Sequence, residues 1–258
     1  MNKNLTVFGA GNLGAEVAAL WKSKFPDAKV FAITQTDQRH SDLKALDTIP
    51  LLASSEGLPT TPYVLFSVPP TPDYLDLVTQ ALKMWNQNGQ FIFISSTSVY
   101  LENKTGWVKE QSDLNPESKL FPIEERVRNE KGSVLRLAGL YNHVSGPHHH
   151  LRKTMKIRSS KTSFLNLIHT SDAAHLAVQA LLKGQCGFTY LGCDGSPLTK
   201  EEFAKWVLGE AQAQNVEYEN SKDTGKRCQN QWTREVLEWK PKWPDFQSWM
   251  TDTLTDSE

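Results

Sequence analysis

Long apolar runs are missing from this sequence. Its hydrophobic stretches break off well before the roughly 18 residues that a membrane-spanning helix needs, so none is a membrane candidate. Cysteine is scarce: Cys186, Cys193 and Cys228 form an odd set without metal-ligand spacing. That pattern argues against a disulfide framework and predicts reduced, structural thiols in a cytoplasmic setting. No charge sign dominates, with 28 basic residues against 29 acidic ones. Without a global field, neither nucleic acid nor an anionic membrane is an expected partner, which leaves a small-molecule substrate and room for a homodimer. No signal or transit peptide is expected ahead of Leu5, and no metal site is expected at His148 to His150, whose neighbours complete no ligand set. There is no internal repeat or low-complexity tract, and no linker separates independent domains.

What is present begins with Leu5-Thr-Val-Phe8, a buried-strand pattern running into Gly9, Gly11 and Gly14. Gly9 suits a tight turn out of the strand. Gly11 lets backbone amides approach a pyrophosphate, and Gly14 permits close packing of helix on strand. The helix expected over 15–25 offers its first amides and the positive end of its dipole, which adds Asn12 and Leu13 to the candidate dinucleotide contacts. The next apolar run, Lys29 to Thr34, predicts a parallel strand, and its tip reads Thr34-Gln-Thr-Asp-Gln-Arg39. With no acid at the tip to hold a ribose diol, Thr34, Thr36 and Arg39 point toward the 2′-phosphate of NADP, while Asp37 keeps NAD open. Tyr63 to Val68 predicts another core strand, ended by Pro69-Pro70, and a helix follows from about residue 71 to Trp85. Ser67, Val68 and Pro69 then lie near the nicotinamide side, as does Ser95 at the end of Phe91-Ile-Phe-Ile-Ser95. This alternation predicts an α/β fold with a doubly wound parallel sheet whose ligand sits beyond the carboxyl ends of the strands.

Gln90 to Tyr100, Val134-Leu-Arg-Leu-Ala-Gly-Leu-Tyr141 and Asn166-Leu-Ile-His-Thr-Ser-Asp172 resemble, in turn, the active-site strand and loop, the strand toward the substrate lobe, and the Ile-His-x-x-Asp helix start of the extended short-chain dehydrogenase/reductases. This is the group that contains nucleotide-sugar epimerases and dehydratases. Lys226 to Asn230 and Leu237 to Pro244 are similar to the closing segment of its small atypical members, which also carry GxGxxG. The resemblance implies one Rossmann-type NAD(P)-binding unit over 1–258, with a small substrate lobe from insertions at about 142–165 and 192–258. It places the family's catalytic hydroxyl on Ser96. The helix that carries the family's Tyr-x-x-x-Lys pair corresponds to Asn115 to Asn129, which contains no tyrosine; the best register puts the pair near Glu117 and Phe121. Tyr100 and Tyr141 are the phenols that could replace the missing acid.

In the second half, 142–162 is expected as a mobile basic loop. His169 is a candidate contact near the cleft, and Thr170 or Ser171 is the expected cap of the helix that follows. Thr199-Lys-Glu-Glu202 predicts a capping box opening a helix with Trp206 and Val207 inward. The closing tryptophans, 232, 239, 243 and 249, are expected to bury the lobe. Two functions follow: an epimerase- or oxidoreductase-like enzyme acting on a small polar, sugar-nucleotide or phosphorylated substrate, or a catalytically silent dinucleotide sensor.

Overall fold

The computed structural model describes residues 2–220 and 224–255; residues 221–223 and 256–258 of the expected carboxyl-terminal lobe lie outside them. The first strand lies inside the sheet, not at its edge. β1 (Leu5–Phe8) leads into α1 (Asn12–Lys24), then β2 (Val30–Thr34), α2 (His40–Ala45) and β3 (Ile49–Leu52). The chain returns on the other side of β1 as β4 (Tyr63–Phe66), α3 (Tyr74–Lys83), β5 (Phe91–Ser96) and α4 (Phe121–Asn129). The Ser133–Leu137 and Thr189–Gly192 strands complete a seven-stranded sheet in which every pairing is parallel. β1 is bordered by β2 and β4, so the topology reverses there and opens a crevice at the strands' carboxyl ends.

The helices cover both faces because their apolar residues recur at helical spacing. In α3, Tyr74, Leu77, Val78, Ala81 and Leu82 form one buried stripe, packed with Ile123 and Val127 of α4 against Phe66 and Phe93. On the opposite face α1 lies against the Thr170–Lys183 helix, whose alanines at 173, 174, 177 and 180 allow a close approach. At one sheet edge the Leu191 backbone N–H donates to Thr233 Oγ1 at 2.9 Å, from the Gln231–Val236 helix. The other edge strand carries Pro50, which has no N–H to offer.

The remaining segments pack around a third apolar cluster, with Tyr141, Leu151, Phe203, Phe246 and Trp249 among its members. Here the structure corrects three expectations. Residues 147–154, expected as mobile loop, form a helix: Gly146 takes φ +135° to turn the chain, Pro147 occupies the first turn, and His148 and Leu151 point inward. The Thr199 capping box is present, but Phe203, Ala204 and Val207 form the inner face of its helix, and Trp206 is 46% exposed. Trp239 and Trp249 are buried as expected, whereas Trp232 is partly exposed and stacks on Phe188 and Tyr190.

Candidate cofactor groove and active site

The loop after β1 is held between the two neighbouring strands. The Gly9 amide donates to the Ile33 carbonyl at 2.9 Å, the Ser67 amide to the Phe8 carbonyl at 2.8 Å, and Ser67 Oγ to the Gly9 carbonyl at 2.8 Å. Each glycine answers a different demand. Gly9 sits at φ +94°, and a Cβ there would come 2.6 Å from the Val68 nitrogen. A Cβ on Gly14 would overlap the Gly9 carbonyl oxygen and stand 2.9 Å from both Ser67 Oγ and Val7 Cγ1. At Gly11, the residue capping α1, a Cβ would meet no protein atom within 4 Å. The open space at Gly11 therefore leads onto the first turn of a 13-residue helix that carries no acid in that turn. Free amides and the positive end of a helix dipole suit a pyrophosphate.

These residues line a groove of about 510 Å³. All the candidate cofactor residues reach it: Gly9 and Gly11 to Gly14, Thr34, Thr36 and Arg39, Ser67 to Pro69, and Ser95. Ser96 lines it too. Arg39 is the one charged side chain in the wall among the described residues, and it stands on the lip beyond β2. Tyr74 closes the floor, its hydroxyl donating to the Val68 carbonyl at 3.0 Å, and burial raises its pKa.

The inner end of the groove is less polar than the resemblance implies. Ser95 is buried and donates to Glu124 Oε1 at 2.6 Å. Ser96 Oγ accepts from the Ser98 amide at 3.1 Å, which leaves its own proton free to donate into the groove. Leu120, Ile94 and Leu140 supply the rest of this wall. The helix expected to begin at Asn115 begins at Phe121, so Glu117 lies in the preceding turns, and Leu120 rather than Phe121 faces the groove.

Tyr100 and Tyr141 are not brought to the groove. The Tyr100 ring is 2% exposed beneath the Arg136 guanidinium, whose central carbon lies 4.8 Å from the ring centroid. Tyr141 is fully buried among His169, Phe246 and Trp249. Leu140 takes the groove side of the Gly139–Tyr141 strand, so alternation turns Tyr141 to the other side. Burial raises the pKa of both phenols, moving them further from proton transfer near neutrality.

Beneath the serines lies an ion pair that the sequence reading missed. Arg136 Nε and Nη2 donate to the two Glu124 oxygens at 3.0 and 2.7 Å, Arg128 adds a bond at 3.0 Å, and Arg136 Nη1 donates to the Glu110 carbonyl at 3.0 Å. Burial pushes the Glu124 carboxyl up, but the hydrogen bonds and charge of Arg136, with help from Ser95, more than offset it, and it sits below the ordinary carboxylate range. Lys226, in the closing segment, reaches the Thr97 and Tyr100 carbonyls at 3.4 and 3.2 Å and so fixes the loop after Ser96.

His169 caps the Thr170–Lys183 helix in place of the expected Thr170 or Ser171, its Nδ1 accepting from the Ser171 amide at 3.2 Å. Asp172 accepts from the Lys242 and Trp243 amides and so ties that helix to the closing segment. Burial pushes the His148 and His169 pKa values down to about 4 and the Asp194 carboxyl up to about 8. Because the folded pKa of Asp194 lies above its usual value, its burial is tolerated at low pH and costs stability as pH rises toward 8. Asp194→Asn, neutral throughout, is therefore expected to match wild-type thermal stability near pH 4, to gain on it up to about pH 8 and to hold that gain above it. A constant difference across thermal melts over that range would contradict the assignment.

No family model matches the chain, and no curated protein matches it. Solved structures do. A dTDP-glucose 4,6-dehydratase from Bacillus anthracis, in complex with NAD, superposes with a TM-score of 0.79 at 14% identity, covering 98% of this chain and 95% of that one. A conserved protein of unknown function from Silicibacter pomeroyi gives 0.76 at 20% identity, with 98% of each chain covered. A human epimerase family protein with NADPH gives 0.69 at 11%, covering 96% and 98%. The glycine loop, the strand order around β1 and the whole-chain superpositions agree: this protein has the Rossmann-type fold of these epimerase and dehydratase structures, the group its serine loop resembles.

Proposed function

We propose that the groove binds NADP, with NAD as the weaker ligand, and that the chain is an epimerase- or oxidoreductase-like enzyme acting on a small polar, sugar-nucleotide or phosphorylated substrate. The observation that carries the cofactor reading is the opening at Gly11 onto the first turn of α1, at the mouth of the groove, where a pyrophosphate could approach the helix amides without meeting a side chain. The reading is supported by Thr34, Thr36 and Arg39 lining the groove beyond β2, with no acid among its described lining residues to repel a 2′-phosphate. Bound nicotinamide would supply the hydride chemistry. The protein's own part at the inner end falls to Ser96, whose free hydroxyl proton can meet a substrate oxygen, while Leu120, Ile94 and Leu140 keep water from the reacting face.

Titration of the purified chain with NADPH and NADH tests the cofactor reading, and no quenching or thermal stabilisation by either would overturn it. Arg39→Ala is expected to weaken NADPH about tenfold, the worth of one charge-assisted contact, and to leave NADH within about twofold. Equal losses would remove the 2′-phosphate argument. Ser96→Ala is expected to keep cofactor affinity and lower turnover of any accepted nucleotide sugar. A second reading, the catalytically silent sensor, is favoured by one observation: Leu120 lines the inner wall, and neither Tyr100 nor Tyr141 reaches it. NADPH binding without turnover across a panel of nucleotide sugars would select that reading.

A further inference from the structure

We infer that His40 sets cofactor choice by fixing the direction of the Thr34 hydroxyl, as a positioning residue for a 2′-phosphate. The inference rests on the reading of the groove as a dinucleotide site. Thr34 ends β2 and lines the groove, and its Oγ1 lies 2.8 Å from His40 Nε2. His40 opens α2, and its backbone N–H donates to the Asp37 carbonyl at 2.9 Å. The turn after β2 thus folds back, placing the imidazole against Thr34 while Arg39 stands on the same lip.

The Thr34 hydroxyl has one proton to give. Within the protein that proton can go to His40 Nε2 or, at a long 3.5 Å, to the Leu51 carbonyl. A phosphate only accepts hydrogen bonds, so it gains from Thr34 only when the proton points into the groove. A ribose hydroxyl both donates and accepts, so it pairs with Thr34 in either orientation. When Nε2 carries the imidazole proton and donates to Oγ1, the Thr34 proton is released from His40, a phosphate in the groove outcompetes the long 3.5 Å contact to the Leu51 carbonyl for it, and the O–H is polarised in the sense that strengthens it as a donor. His40 then contributes to NADP and contributes nothing that NAD can use. Nothing in the sequence marks it.

The test is a fluorescence titration of the full chain with NADPH and NADH, for wild type, His40→Ala, His40→Gln, Thr34→Val and the His40→Ala/Thr34→Val pair, with a thermal melt of each as a folding control. His40→Ala is expected to weaken NADPH about tenfold and to leave NADH within about twofold. His40→Gln, whose amide N–H can take the place of Nε2–H, should keep most of the NADPH affinity. Thr34→Val should cost as much as His40→Ala, and the pair no more than either, because one residue acts through the other. Equal losses for the two cofactors, additive losses in the pair, or tighter NADPH binding by His40→Ala would each overturn the inference while the cofactor reading stands. Failure of the wild-type chain to bind either cofactor overturns both together.

Discussion

Gly11→Ala is expected to leave folding untouched and to cut NADPH affinity about a hundredfold, while Gly14→Ala unfolds early. The asymmetry follows from what a new methyl group meets. At Gly11 it would touch no protein atom within 4 Å, so stability should stay within about 0.5 kcal/mol of wild type. The methyl would instead occupy the approach to the α1 amides. Losing two charge-assisted hydrogen bonds at about 1.5 kcal/mol each amounts to roughly a hundredfold in affinity. At Gly14 the methyl would overlap the Gly9 carbonyl oxygen and press on Ser67 Oγ and Val7 Cγ1, all of them fixed by the β1 turn. Overpacking of that kind costs about 1–3 kcal/mol. Urea denaturation beside an NADPH titration separates the two effects. A Gly11→Ala protein that binds NADPH normally would show that the ligand does not pass over this loop.

Arg136→Leu is expected to destabilise the fold by about 3–5 kcal/mol, because it takes the principal partner from the Glu124 carboxylate where neither side chain of the pair is more than 3% exposed. Its pH dependence has a definite sign. In wild type the Glu124 pKa is depressed, so its contribution is present above the ordinary carboxylate range and is lost as pH falls through the folded value. Without Arg136 burial dominates and raises that pKa, and stability then falls as pH rises above the carboxylate range. The urea midpoints of the two proteins should therefore diverge from pH 4 to pH 7. Parallel curves would show that Arg128, on the solvent side, suffices to hold the carboxylate.

The parts of this fold legible in the sequence are those written in neighbouring residues. Apolar runs such as Tyr63–Phe66 and Phe91–Ser96 announce strands buried on both faces, and the glycine spacing after β1 announces its turn. The inner end of the groove was harder to read because its phase depends on where α4 starts. Pro122 sits in the first turn and Asn115 to Leu120 fold as turns, so no periodicity links Glu117 to the helix or singles out Leu120 as the residue facing the groove. The Glu124–Arg136 pair joins a helix to a strand across 12 positions, a distance no local pattern spans. One signal is present: an arginine within the run Ser-Val-Leu-Arg-Leu must be paired if that strand is buried on both faces. Alternation along Gly139-Leu-Tyr141 could likewise have separated Leu140 from Tyr141 once either was placed.

The bond from the Leu191 amide to Thr233 gives the closing segment a second task, that of a guard. The Thr189–Gly192 strand is the last to join the sheet in chain order, and its outer side is closed by a helix some 40 residues further on. A chain growing from its amino terminus completes all seven strands before that helix exists. During that interval a parallel, strongly apolar sheet presents an open edge, the feature that templates strand addition between copies. Aggregation during synthesis, rather than loss of the groove, is then the first fault to look for in chains truncated before Gln231.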